Sequence, residues 1–192
     1  MNHRIFLAAL AVVPLATPAH AANPEGFRVE ALLGADHLRR DFADLGLGHE
    51  DETGLLYGLG AGYDFRLSDT AALGVDAEFT DFDTDFDFVA GSNSARLAFG
   101  RDLYAGVRGT FSISDRVDLY VRAGGSFARL NERITIGGTT SVENSNGLGA
   151  RIGGGVQLEL GSNLYAGTEY RYTNYGSGYT RHQVAATLGW RF

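Results

Sequence analysis

Charged side chains two residues apart recur along this chain. Glu169 and Arg171, Arg28 and Glu30, Asp64 and Arg66, Asp76 and Glu78, and Asp118 and Arg122 (four apart) all keep one parity within their segments. On an extended backbone such residues project from one face, so each group could form an ion bridge or line a path for ions or water. A denser run, TDFDTDFDFVAG, sets Asp81, Asp83, Asp85 and Asp87 among Phe82, Phe86 and Phe88. Carboxylates at alternate positions could collect a divalent cation such as Ca²⁺ or Mg²⁺. An EF-hand loop needs Gly at its sixth position and Glu at its twelfth; counting from Asp81 finds Phe86 and Ser92. The run is therefore read as a strand with its Asp side chains toward water, and no metal is assigned. His37, His49 and His182 are the candidate general bases, but no His-x-Ser pair occurs. The expectation is no catalytic residue and no cofactor.

The elements that carry these charges are strands. Eight segments alternate apolar residues with polar or small ones, the period of a strand with two unlike faces. In FRVEALLGA, Phe27, Val29, Ala31 and Leu33 oppose Arg28, Glu30 and Gly34. LLYGLGAGYDFRL and ALGVDAEFT place Asp64 and Arg66, then Asp76 and Glu78, on their polar faces. LYAGVRGTFSI does so with Arg108, VDLYVRAGGSFA with Asp118 and Arg122, and ARIGGGVQLEL with Arg151 and Glu159. LYAGTEYRYT adds Glu169 and Arg171, and HQVAATLGWRF adds Arg191 while setting Val184, Leu188, Trp190 and Phe192 on the apolar face. Connections alternate in length. Tight turns are expected near Ser68–Thr70, Ser114–Arg116 and Gly161–Asn163, and long loops over 37–53, 81–101 and 131–147. One end of an antiparallel meander then carries turns and the other carries loops, the asymmetry of transmembrane barrels.

Bulk and charge decide which face points out. Eight strands enclose an interior only wide enough for side chains to fill, and the apolar faces carry too much Leu, Val, Phe and Tyr for that space. The polar faces are rich in glycine and hold seven arginines (Arg28, Arg66, Arg108, Arg122, Arg151, Arg171, Arg191) against seven carboxylates (Glu30, Asp64, Asp76, Glu78, Asp118, Glu159, Glu169). An enclosed set of charges must nearly cancel, because an unpaired buried charge costs several kcal/mol. The fold expected is all-β: a closed, eight-stranded, antiparallel up-and-down transmembrane β-barrel. In hydrocarbon an open sheet edge would leave polar backbone groups unsatisfied, so the first and last strands must pair.

Residues 1–21 read as a secretory signal peptide: a basic start at His3 and Arg4, an apolar run from Ile5 to Val13, and Ala19-His20-Ala21 as the cleavage site. Residues 22–192 are then the barrel domain. Losing Arg4 moves the net charge from −7 to −8, which argues against nucleic acid as a partner. There is no cysteine, and all 16 basic residues are arginine, the cation better suited to fixed, desolvated hydrogen bonds.

The signal segment, the eight alternating strands, EYRYTNYG and the terminal HQVAATLGWRF together resemble the eight-stranded outer-membrane β-barrel family of opacity-type surface proteins and the transmembrane domain of outer membrane protein A. The resemblance implies a Gram-negative outer membrane, with lipid and lipopolysaccharide as surroundings. It also implies recognition by the barrel-assembly machinery, with Trp190 and Phe192 as the insertion signal. A surface ligand bound through the loops is a further expected partner, and the Asp81–Asp87 run could share a cation with lipopolysaccharide phosphates. The function expected is a non-enzymatic surface, adhesion or envelope-stabilising protein whose lumen is plugged by ion pairs. Two alternatives stay open on this fold: a lipid A-modifying hydrolase and a narrow pore.

Overall fold

The computed structural model describes the backbone of residues 25–41, 49–90, 93–136, 139–176 and 179–192, and side chains over 25–39, 52–82, 100–129, 146–176 and 179–192. Residues 1–21, read as a signal peptide, lie outside the described residues. Eight strands follow in chain order: β1 (Gly26–Asp41), β2 (His49–Ser68), β3 (Ala71–Ala90), β4 (Asn93–Ser114), β5 (Val117–Ile136), β6 (Thr139–Glu159), β7 (Leu164–Gly176) and β8 (Tyr179–Arg191). Each pairs antiparallel with the next, and β1 pairs with β8 from Arg28↔Arg191 to Arg40↔Tyr179, which closes the cylinder. At the seam's lower end the Phe192 amide donates to the Phe27 carbonyl at 2.8 Å.

Alternation sorts the side chains. Phe27, Leu59, Val75, Leu103, Val121, Ile152, Leu188 and Phe192 are exposed outward, Leu59 at 67% and Phe192 at 68%. Arg28, Glu78, Arg108, Arg151, Glu169 and Arg171 are buried inward. Such a surface is unstable in water and suited to hydrocarbon, where the aliphatic bulk needs no cover. Glycines make room on the inner wall. A Cβ at Gly62 would collide with the Arg28 guanidinium, and one at Gly189 with the Tyr165 ring. The lumen is not wholly polar, however. Leu38, Leu56, Phe82 and Ala185 point inward and are buried, Leu56, Phe82 and Ala185 as one cluster.

The tight turns fall where the sequence puts them, at 69–70, 115–116 and 160–163. The stretches expected as long loops are largely strand; for the run from Asp81, read as a strand, this is the expected outcome, and for the rest it is a difference. β3 and β4 stay paired to Ala90↔Asn93, β4 and β5 to Ser94↔Thr135, and β5 and β6 to Ile136↔Thr139. Backbone ladders need no alternation of side chains, so a hairpin continues beyond the layer that imposes the apolar stripe. The rim is uneven. β2 and β3 part above Leu55↔Asp83, and β6 and β7 above Ala150↔Asn174. A four-stranded sheet of β3 to β6 therefore stands above the shorter β7–β8 hairpin.

Candidate functional site: the charged lumen

Inward parity on eight strands converges the charges into a chain of ion pairs along the lumen. At the tight-turn end Arg191 bridges Glu159 at 3.0 Å and approaches Asp64 at 3.8 Å. Asp64 meets Arg28 at 3.1 Å, and Arg28 pairs onward with Asp76. Arg122 is the central node, 3.5 Å from Asp76, 3.0 Å from Glu78 and 3.3 Å from Glu169. Glu78 also receives Arg171, and Arg151 at 3.3 Å. Arg151 reaches Asp102 at 2.5 Å; Arg181 lies 4.0 Å from Asp102 and 3.0 Å from Asp36. The chain thus alternates sign from Glu159 to Asp36.

Neutral donors add to the coordination. Tyr165 donates to Glu30 at 2.8 Å, beside Arg108 at 3.1 Å, and Tyr120 donates to Glu169 at 2.7 Å. Ser126 and Tyr175 donate to Asp102 at 2.6 and 2.7 Å, and Gln183 to Asp36 at 2.9 Å. The Arg108 guanidinium stacks over the Tyr120 ring at 3.7 Å and Arg122 over Tyr104 at 4.2 Å, using the planar, weakly hydrated face that lysine lacks. Among the described residues, seven arginines and eight carboxylates are buried. The near balance meets the requirement that enclosed charge be compensated.

Placement differs from the sequence expectation at several points. Arg66 is not in the lumen: its side chain is 43% exposed and bridges Asp69 at 3.0 Å across the β2–β3 turn. Inward parity carries no burial where the strand has passed the end of the cylinder. Asp118 is buried, opposite Gln157 on β6, and Glu159 is half-buried at the end of β6. Sequence reasoning missed Asp36, Asp102 and Arg181. All three keep the parity of Glu30, Tyr104 and Gln183, so extending the period of two past each apolar stripe would have found them.

Of the acidic run, Asp81 has the outward parity of Phe79 and its carboxylate accepts the Phe82 amide at 3.0 Å. Phe82 points inward beneath the Arg181 guanidinium, 3.8 Å from its ring centre. The side chains of Asp83, Asp85 and Asp87 lie outside the described residues. Among the described residues no group of three or more His, Cys, Asp or Glu side chains could hold a metal ion. His37 and His182 face outward: His37 Nδ1 is 3.1 Å from Thr53 Oγ1, and His182 Nδ1 is 2.7 Å from the Tyr170 hydroxyl. The side chain of His49 lies outside the described residues. Trp190 and Phe192, the expected insertion signal, are exposed on the outer face of the closing seam.

Chemically, the arrangement fills space and holds charge. Every step of the ion-pair chain engages a cation with a carboxylate, and Leu56 and Phe82 add apolar bulk toward the hairpin end. A permeating ion would have to part these pairs.

A model of the outer membrane protein β-barrel domain matches residues 5–192. The fold is similar to that of the attachment invasion locus protein Ail of Yersinia pestis, at 15% identity over 88% of this chain and 99% of that one, with a TM-score of 0.57. It is also similar to Neisserial surface protein A, at 20% identity over 87% and 97% of the two chains, with a TM-score of 0.55. These likenesses establish the shared barrel. The sequence matches none of the curated proteins.

Proposed function

Because the chain belongs to the outer membrane protein β-barrel domain family, we propose that it is a non-enzymatic surface protein whose barrel is a plugged anchor and whose projecting hairpins do the work, by adhesion or by stabilising the envelope. The observation that carries this reading is the division of the molecule: a lumen crossed by paired charge, and beyond it a sheet of β3 to β6 that rises past the last pairing of β7. An attachment role is named for the Yersinia pestis barrel; in this chain the projecting sheet is what supports one. Export through a cleaved signal segment, insertion by the barrel-assembly machinery through Trp190 and Phe192, and a lipopolysaccharide surround belong to the same proposal.

Three measurements test it together. Mass spectrometry of lipid A from cells with and without the protein is expected to give one acyl pattern; a changed pattern would favour the hydrolase. Planar bilayers containing the protein are expected to stay silent, and discrete stable openings would favour the pore. Shortening the β3–β4 and β5–β6 hairpins is expected to leave the barrel folded while abolishing attachment of cells to surfaces or their resistance to envelope stress. Retention of both by the shortened protein would overturn the reading.

A further inference from the structure

The uneven rim leaves β6 half-paired. From Ile136↔Thr139 to Ala128↔Gly147 and Phe127↔Leu148, β6 follows β5 without a register shift, yet its pairing with β7 begins only at Ala150↔Asn174. Among the described residues nothing pairs with the other side of 139–149. The parity of the backbone groups follows from one bond. The Glu159 amide donates to the Arg116 carbonyl, on the β5 side, at 2.8 Å. Amide direction alternates along a strand, so odd-numbered residues of β6 bond β5 and even-numbered ones face away. Thr140, Val142, Asn144 and Asn146 therefore turn their N–H and C=O groups toward the space above the β7–β8 hairpin, while Leu148 lies level with Gly176 at the end of β7.

Exposed edges are commonly guarded by lysine, proline, bulges or extreme shortness. The segment Thr139–Gly149 reads TTSVENSNGLG, with no lysine, arginine or proline, and it has no bulge. We infer that this edge is a docking site for an extended segment of another polypeptide, added as a further strand in the position that β7 vacates. Main-chain bonds supply affinity in this mode of recognition, and charge selects the guest. The segments at this end of the barrel are acidic: five carboxylates against two arginines in 37–53, four against two in 81–101, and two against one in 131–147. The partner class is a basic, extended peptide segment. This inference rests on the surface role proposed above and names its binding surface.

The test uses the full chain in lipid nanodiscs and a synthetic peptide of alternating lysine and valine, matched in length to residues 139–149. Binding is expected, with loss when the peptide's lysines are replaced by glutamate or when alternate amides are N-methylated. The variant Asn144→Pro/Asn146→Pro removes two edge donors while sparing the odd-numbered bonds to β5, as proline is tolerated with its nitrogen toward solvent; it should weaken binding by about tenfold. Unchanged urea resistance is the check that the barrel survives. Equal binding by that variant, or no binding by the wild type, would overturn the inference, as would self-association through the same even positions in place of peptide binding. If the peptide binds but cells carrying the variant attach as before, the edge stands and the adhesive role falls.

Discussion

At the scale of single residues, the lumen depends on arginine. Arg171 is fully buried and bridges Glu78 and, at 3.2 Å, Glu169. Arg171→Ala leaves Glu78 to Arg122 and Arg151, and Glu169 to Arg122 and Tyr120; it removes one buried cation shared by two carboxylates, and breaking a buried pair costs up to about 3–5 kcal/mol. The expected outcome is a clear fall in the urea midpoint of the folded barrel, with Arg171→Lys intermediate because one ammonium cannot reproduce a planar fork. A second residue-scale prediction concerns fit. Gly189 lies opposite Tyr165 in the β7–β8 register, and a side chain there would occupy the ring's place. Gly189→Ala should destabilise by about 1–3 kcal/mol through overpacking. Tyr165→Phe in the same background should give no relief, since the ring remains, whereas Tyr165→Ser should restore part of the loss; a double-mutant cycle on unfolding separates these outcomes.

At the scale of elements, each strand has one face for lipid and one for the charged interior. Leu59 sits outward in mid-β2, opposite Phe79 on β3 and Ala31 on β1. Leu59→Arg should cost about 2–4 kcal/mol if that position lies near the bilayer midplane, read as a lowered denaturant midpoint in vesicles. The period of two made this much legible: eight strands, their tight turns and most inward charges follow from alternation alone. What alternation could not give was the length of the hairpins. Beyond the apolar stripe only the alternating Asp and Phe of 81–88 read as strand; nothing in 93–101 or 131–147 distinguishes a paired strand from a loop, because ladder bonds are made by backbone atoms common to every residue. Arg66 errs in the opposite sense: its parity is right, but the strand has left the cylinder there. Leu56 and Phe82 were hidden because apolar residues on a mainly polar face look like interruptions of the pattern.

At the scale of the whole molecule, the barrel joins a body filled with paired charge to an asymmetric crown. Lumen charge is arranged so that the interior is close to neutral, and the surplus acidity of the chain gathers at the hairpin end. Because the outer wall exposes Leu59, Val121, Ile152 and their neighbours, the purified protein is expected to need detergent or lipid to stay monodisperse, which size-exclusion chromatography in plain buffer would check. The seam adds something further. Gly26 lies against the Phe192 carbonyl, so the start of β1 meets the end of β8 at the rim that carries the tight turns. A short linker could join them, with new ends opened between Ser114 and Val117, giving a circular permutant with every strand neighbour retained. Such a molecule should refold from urea into detergent micelles. In living cells its terminal strand would no longer be β8, so a shape that forms in the test tube but stalls on its way into the membrane would show that architecture and delivery are written in different parts of the same sequence.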